Sequence, residues 1–257
     1  MIIDSHCHLT DERLFPMVEE IVSGLEENGL ESVITVGYDL QSSVLGVDIA
    51  ERFDKVYAMV GMHPHDSQYM TEEIYDRFRA LAKSDKVVAI GEIGLDYHYD
   101  LSPRDVQQKV FREQIELANS LKLPVALHVR EAYGDTEKIL EESKHLLTNG
   151  VLLHCYSGSS EMVKVFSKYD CYFAFGGPIT FKNAVHNIEA LKAVPLDRLL
   201  LETDAPYMTP APFRGKTNEP KYTALVAEKA SEVLGIDKAE LIAKTNKNTK
   251  TLFYKMK

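Results

Sequence analysis

Tryptophan is missing from this chain of 257 residues, and cysteine is scarce, with Cys7, Cys155 and Cys171 its only three thiols. An odd number of cysteines in no paired spacing argues against a disulfide framework and suits a reducing compartment. No window approaches the ~18 consecutive apolar residues of a membrane span. The opening MIIDSHCHL has no basic leader followed by an apolar stretch, so the expectation is a cytoplasmic protein without membrane association. Basic residues are outnumbered, 29 against 39 acidic ones, for a formal net charge of −10. Most of the surface therefore repels polyanions, and a phosphate-bearing partner must be held locally. No obligate protein partner is evident.

What is present is an ordinary globular balance of 45% hydrophobic and 26% charged residues, too apolar for disorder. Short, β-branched runs recur at 2–8, 32–38, 56–64, 87–97, 124–130, 151–158, 171–179 and 199–207. They are nearly continuous in apolar character, as strands covered on both faces are in a parallel sheet. Helical patterns lie between them. Val18, Ile21, Val22 and Leu25 repeat at helical spacing with Gly29 placed as a C-cap. Ser102, Pro103 and Asp105 read as cap, first-turn proline and reciprocal carboxylate of another helix, and Ile74, Phe78 and Leu81 mark a third. A doubly wound open sheet is compatible with this alternation. Eight strand–helix units filling the whole length favour a distorted (β/α)8 TIM barrel, one domain over 1–257.

In such a barrel, chemistry gathers at the carboxyl ends of the strands. His6 and His8 end the first run, His63 and His65 the third, His128 the fifth, and Glu202 and Asp204 the eighth, while Glu92 and His154 lie in the fourth and sixth. The H-x-H spacing places both imidazoles of His6 and His8 on one strand face and sends Cys7 to the other. Cys155, next to His154, is read in the same way as an outward-facing structural thiol. Taken alone, an H-x-H pair is as readily a surface or core feature as a ligand pair, and a solitary His128 or His154 is more often a hydrogen-bonded core residue than a ligand. Glu202 and Asp204 sit in an apolar run that itself contains no basic residue, so a cation is the economical counter-charge. Gly91 and Gly94 flank Glu92 and suggest that something bulky approaches there. Jointly, His6, His8, Glu92, His128, His154 and Asp204 are enough to ligate two divalent ions. A mixed nitrogen and oxygen shell suits zinc, manganese, cobalt, nickel or iron(II), and magnesium less well.

With those residues in hand, the sequence resembles the TatD family of metal-dependent hydrolases, within the amidohydrolase-type barrel superfamily. The resemblance runs from residue 1 to about 254 and is carried by IDSHCHL, GMHPHD, AIGEIGLDYHYD, LPVALHVREA, LLHCYSGS, LLLETDAPYMTP, RGKTNEP and NTKTLF. It implies a dinuclear centre with His6, His8 and Asp204 on one ion, His128 and His154 on the other, and Glu92 bridging. It also implies a divalent-cation-dependent deoxyribonuclease of the 3′–5′ exonuclease type, with single-stranded DNA or DNA 3′ ends as substrate. Phe175-Gly176 stands where the family commonly has a serine-rich turn, beside the expected substrate mouth.

The mechanism expected on this basis is attack on phosphorus by a metal-bridging hydroxide. Asp204 accepts its proton and His63 contacts the phosphate. His65 is expected behind His63 or at the surface. Arg130, Lys182, Arg214, Lys216 and Lys221 would form a basic rim, with Tyr156, Phe181 and Tyr207 available for base stacking. The same ligand set serves a hydrolase of another ester or amide, such as an aminoacyl-tRNA deacylase or a small-molecule amidohydrolase.

Overall fold

The computed structural model describes residues 1–257. Eight parallel strands stand in sequence order: β1 (Ile2–Cys7), β2 (Leu30–Val36), β3 (Val56–Val60), β4 (Val87–Asp96), β5 (Val125–Arg130), β6 (Val151–Leu153), β7 (Cys171–Phe175) and β8 (Leu199–Leu201). Helices α1 (Val18–Ser23), α2 (Leu40–Arg52), α3 (Glu72–Leu81), α4 (Arg104–Leu121), α5 (Tyr133–Glu142), α6 (Ser160–Phe166) and α7 (Val185–Ala193) connect them, and α8 (Thr223–Leu234) and α9 (Lys238–Leu252) follow. This is the expected barrel of alternating strands and helices. The ring closes between β8 and β1 through Asp204 N donating to His6 O at 2.9 Å and His8 N donating to Ala205 O. Side chains stitch the same seam, for Asp4 accepts from both the amide and the hydroxyl of Thr203.

Two apolar layers follow from strand alternation. A large outer layer between strands and helices contains Val33, Ile90, Leu127 and Phe173, while a smaller inner layer contains Ile34, Met59, Val88, Leu152 and Leu200. The end of α9 contributes Leu252 and the chain adds Phe253 and Met256 to the inner layer. That plugs the barrel on the side away from the strand carboxyl ends.

Four local expectations are corrected. Helix α1 stops at Ser23 with Gly24 as its cap, and Gly29 instead takes a φ of 75° at the entry to β2. Ser102 does not cap α4: its hydroxyl donates to His65 O and accepts from Gln68 N, pinning the loop after β3. The approach expected at Gly91 and Gly94 comes from strand β5, since a Cβ on Gly91 would meet the Ala126 Cβ at 2.7 Å and one on Gly94 the His128 carbonyl oxygen at 2.1 Å. Cys7 does face the outer layer, but Cys155 lies beyond the end of β6 at a φ of 40°, where alternation no longer sets its direction.

The apolar runs extend past the observed strands, most of all at 151–158 and 199–207, where β6 and β8 have three residues each. Irregular backbone at the carboxyl ends carries much of the polar site.

Candidate metal centre

Strict alternation from Ile2, which packs in the outer layer, would turn His6 and His8 outward as well. A register irregularity in β1 between Asp4 and Cys7 resets the phase, and both imidazoles face the barrel interior. Strand β4 has a similar irregularity between Ile90 and Ile93, around Glu92. Asp204 takes a φ of 57°, a left-handed conformation that Asp tolerates better than most residues, at the turn leaving β8.

Glu92 is the hub. Its Oε2 lies 3.6 Å from His6 Nε2 and 3.7 Å from His8 Nε2. Its Oε1 lies 2.7 Å from His154 Nε2, 2.9 Å from His128 Nδ1 and 3.7 Å from His63 Nε2. Asp204 Oδ1 joins the first side, 3.4 Å from His8 Nε2 and 3.8 Å from His6 Nε2. The structure thus brings all six expected ligands and His63 into one cluster, divided by the two oxygens of one carboxylate.

On the His6–His8 side, two of these separations match the spacing of ligands around a cation, while His154 and His128 lie at hydrogen-bond distance from Glu92. Metal–nitrogen and metal–oxygen bonds of about 2.1 Å put neighbouring ligand atoms about 3.0–3.4 Å apart in six- or four-coordinate shells. His6 Nε2 and His8 Nε2 are 3.3 Å apart. His6 and His154 also have buried Nδ1 atoms with no hydrogen-bond partner, as does Glu202 Oε2. Imidazoles directed inward through Nε2 leave Nδ1 on the outer side, and His154 Nδ1 there lies 3.7 Å from Glu202 Oε1.

The electrostatics are those of acids and imidazoles compensating one another. Burial pushes the Glu92 carboxyl up, but the charges of His154 and His63 and the hydrogen bond from His128 outweigh it and hold the group well below its usual range. Asp204 is lowered against burial by His8, His154 and His6. His128 and His154 are raised against burial, the first by hydrogen bonds to Asp96 and Glu92, the second by the charge of Glu92 and contact with Glu202. His63 is driven well below its ordinary value, first by burial and then by His128. Divalent cations can replace the protons in such a cluster.

Two carboxylates escaped the ligand set drawn from sequence. Asp96, fully buried, accepts from His128 Nε2 at 3.0 Å and His65 Nε2 at 2.9 Å, and its other oxygen accepts from the His98 and Tyr99 amides. Its position at the carboxyl end of β4 was the available signal. Glu202 accepts from the Cys155 amide, beyond the end of β6.

The rim divides. Arg130, Lys182, Arg214 and Lys216 make no ion pair, whereas Lys221 is bound to Glu219 at 2.7 Å and is removed from the expected rim. Tyr156 is buried against Phe173 and Phe175 and does not present a stacking face. Phe181 lies under the Arg214 guanidinium, and Tyr207 is 45% exposed beside His8. Arg13 and Tyr99, also at the mouth, were not singled out in the sequence.

Comparison with known proteins agrees over the full length. The family model described as TatD related DNase matches residues 3–254. The Bacillus subtilis metal-dependent hydrolase YabD is 42% identical over 253 residues, covering 98% of this chain and 99% of the relative. The Cronobacter sakazakii protein named 3′-5′ ssDNA/RNA exonuclease TatD is 33% identical and covers 92% of both chains. Among solved structures, the Escherichia coli TatD homologue YJJV superposes with a TM-score of 0.92 at 29% identity, covering 98% of each chain. An organophosphorus hydrolase variant at 14% identity and a TM-score of 0.67, over 98% of this chain and 92% of the other, shares the fold.

Proposed function

The chain belongs to the TatD family of metal-dependent hydrolases, and from that membership we propose that it is a deoxyribonuclease cleaving phosphodiester bonds from the 3′ end of single-stranded DNA. The observation that carries the two-cation reading is the division of Glu92, one oxygen toward His6 and His8, the other toward His128 and His154. His6, His8 and Asp204 would hold one divalent cation, His128 and His154 the second, with Glu92 shared.

Held by these residues, divalent cations would supply Lewis acidity toward water and phosphate. The protein supplies the rest. Asp204 is the most open carboxylate of the cluster, its side chain 13% exposed against 4% for Glu92 and 0% for Glu202 and Asp96. It is therefore the group placed to take a proton from an entering water. His63, 10% exposed on the opposite side of Glu92, faces the mouth as a phosphate contact. Arg130, Lys182, Arg214 and Lys216, free of carboxylate partners, offset a net charge of −10 where the strand enters. The activity for which the Cronobacter relative is named supports this substrate class.

The test is turnover of 3′-end-labelled single-stranded DNA by the manganese-loaded protein, beside aminoacyl-tRNA and simple ester substrates. Release of nucleotides from the labelled end is expected. Exclusive turnover of the esters overturns the nuclease reading.

A further inference from the structure

The mouth has an aromatic axis. Ring follows ring from Tyr207 to Tyr99 through six histidines, and no centroid step exceeds 5.9 Å. The interior of this line is buried or partly buried, whereas its two ends are open: Tyr207 is 45% exposed and Tyr99 54%. The ends belong to opposite sides of the barrel. Tyr207 follows β8 next to β1, and Tyr99 follows β4 next to β5. A strand laid along the axis over the Glu92 cluster would meet one exposed tyrosine on each side.

Each end ring carries a guanidinium. Arg13 lies over Tyr207 at 4.5 Å and Arg130 over Tyr99 at 4.8 Å. The Tyr207 side is braced further, because its hydroxyl donates to Asp11 and Asp11 binds Arg13 through both oxygens. Tyr99 is held by its amide, which donates to Asp96, and by the His65 and His98 rings at its edge. A ring with a cation on one face and solvent around it is a sequence-tolerant stacking platform for a nucleobase, and on the Tyr99 side Arg130, which has no carboxylate partner, offers charge to the neighbouring phosphate, whereas Arg13 is neutralised by Asp11.

We propose that Tyr99 and Tyr207 are paired base-stacking platforms that grip the nucleotides on either side of the cleaved phosphate. The proposal rests on the nuclease reading and adds to it the means of recognition: the unpaired strand is gripped through its base faces, independent of sequence. Small phosphodiesters, having no bases to place, bypass both rings.

Tyr99→Leu and Tyr207→Leu keep the bulk and remove the π face. Manganese-loaded enzyme is assayed on a single-stranded oligonucleotide and on the same oligonucleotide with tetrahydrofuran abasic residues flanking the cleavage site. Binding of a 2-aminopurine-labelled oligonucleotide is followed by fluorescence. Each leucine variant is expected to raise KM for the oligonucleotide about tenfold. Its kcat should stay within about twofold, turnover of the abasic-flanked oligonucleotide should be unchanged, and base-probe quenching should fall. Tyr99→Phe should restore the wild-type KM, and abasic flanks should erase the difference between wild type and variants. Oligonucleotide KM and quenching unchanged in both leucine variants overturn the platforms while leaving the nuclease intact. A wild-type enzyme that neither binds nor cleaves the oligonucleotide, yet hydrolyses esters, overturns both.

Discussion

Asp96 Oδ2 accepts from His128 Nε2 at 3.0 Å, on the side of the imidazole away from Glu92. A carboxylate behind a candidate ligand fixes its ring orientation and proton position and raises its basicity. Asp96→Asn retains an oxygen for the His98 and Tyr99 amides but removes the negative charge. It should weaken cation binding on the His128 side about 10- to 100-fold. Titration against a competing chelator measures this, and an affinity within twofold of wild type would show that Asp96 serves only the loop.

Asp204→Asn should lower kcat by about 10²–10⁴-fold, the range for loss of a positioned proton acceptor. The fold should survive, because the seam bonds made by the Asp204 amide and by Asp4 with Thr203 are retained. Labelled-DNA turnover and a thermal melt run together separate the two effects. Activity within tenfold of wild type would remove Asp204 from the proposed proton step.

Chelation should abolish turnover and lower the melting temperature. A ligand present at 100 times its dissociation constant contributes about 2.7 kcal/mol to a native state. For a chain of this size that corresponds to a rise of about 5–10 °C per ion. Differential scanning calorimetry of chelated and manganese-restored protein reads the shift. Equal melting temperatures would mean that the Glu92 cluster holds no structural share of the cation.

Acid sensitivity should be traceable to Asp11. The hydrogen bonds from Arg13 hold its carboxyl at about 2, below the usual carboxylate range. With the folded value depressed, its stabilising share is complete above the unfolded value of about 4 and disappears as the pH falls toward 2. Asp11→Asn should therefore cost about 1 kcal/mol at pH 7, the modest figure reflecting a partner, Arg13, that is 41% exposed to solvent. Urea melts of wild type and variant should converge between pH 5 and pH 2, and a gap that widens on acidification would contradict the assignment.

Much of the site was legible because strand ends are legible. His6, His8, His128, His154 and Asp204 each stood at or near the carboxyl end of an apolar run, and a closed ring of parallel strands has one place for those ends to meet. Glu92 was found as a lone acid in a wall of apolar residues. Asp96, at the end of the same strand, has no distinguishing neighbour in the sequence, and its role follows from His128 and His65 sharing it across three strands. Tyr156 and Lys221 went wrong for the opposite reason. Chain order brought both near the mouth, but the first turned into the core between Phe173 and Phe175 and the second closed on Glu219.

By itself, the sequence determined the barrel and the kinds of donor gathered at its mouth, because the order of apolar runs favours parallel pairing and residue identity dictates donor chemistry. Tertiary structure alone decided which face β1 presents, since the irregularity between Asp4 and Cys7 depends on pairing with β2. It also decided that one carboxylate divides the histidines into two sets, and that Tyr99 and Tyr207 stand at opposite ends of one aromatic axis. These are distances between elements far apart in the chain, and no local pattern encodes them.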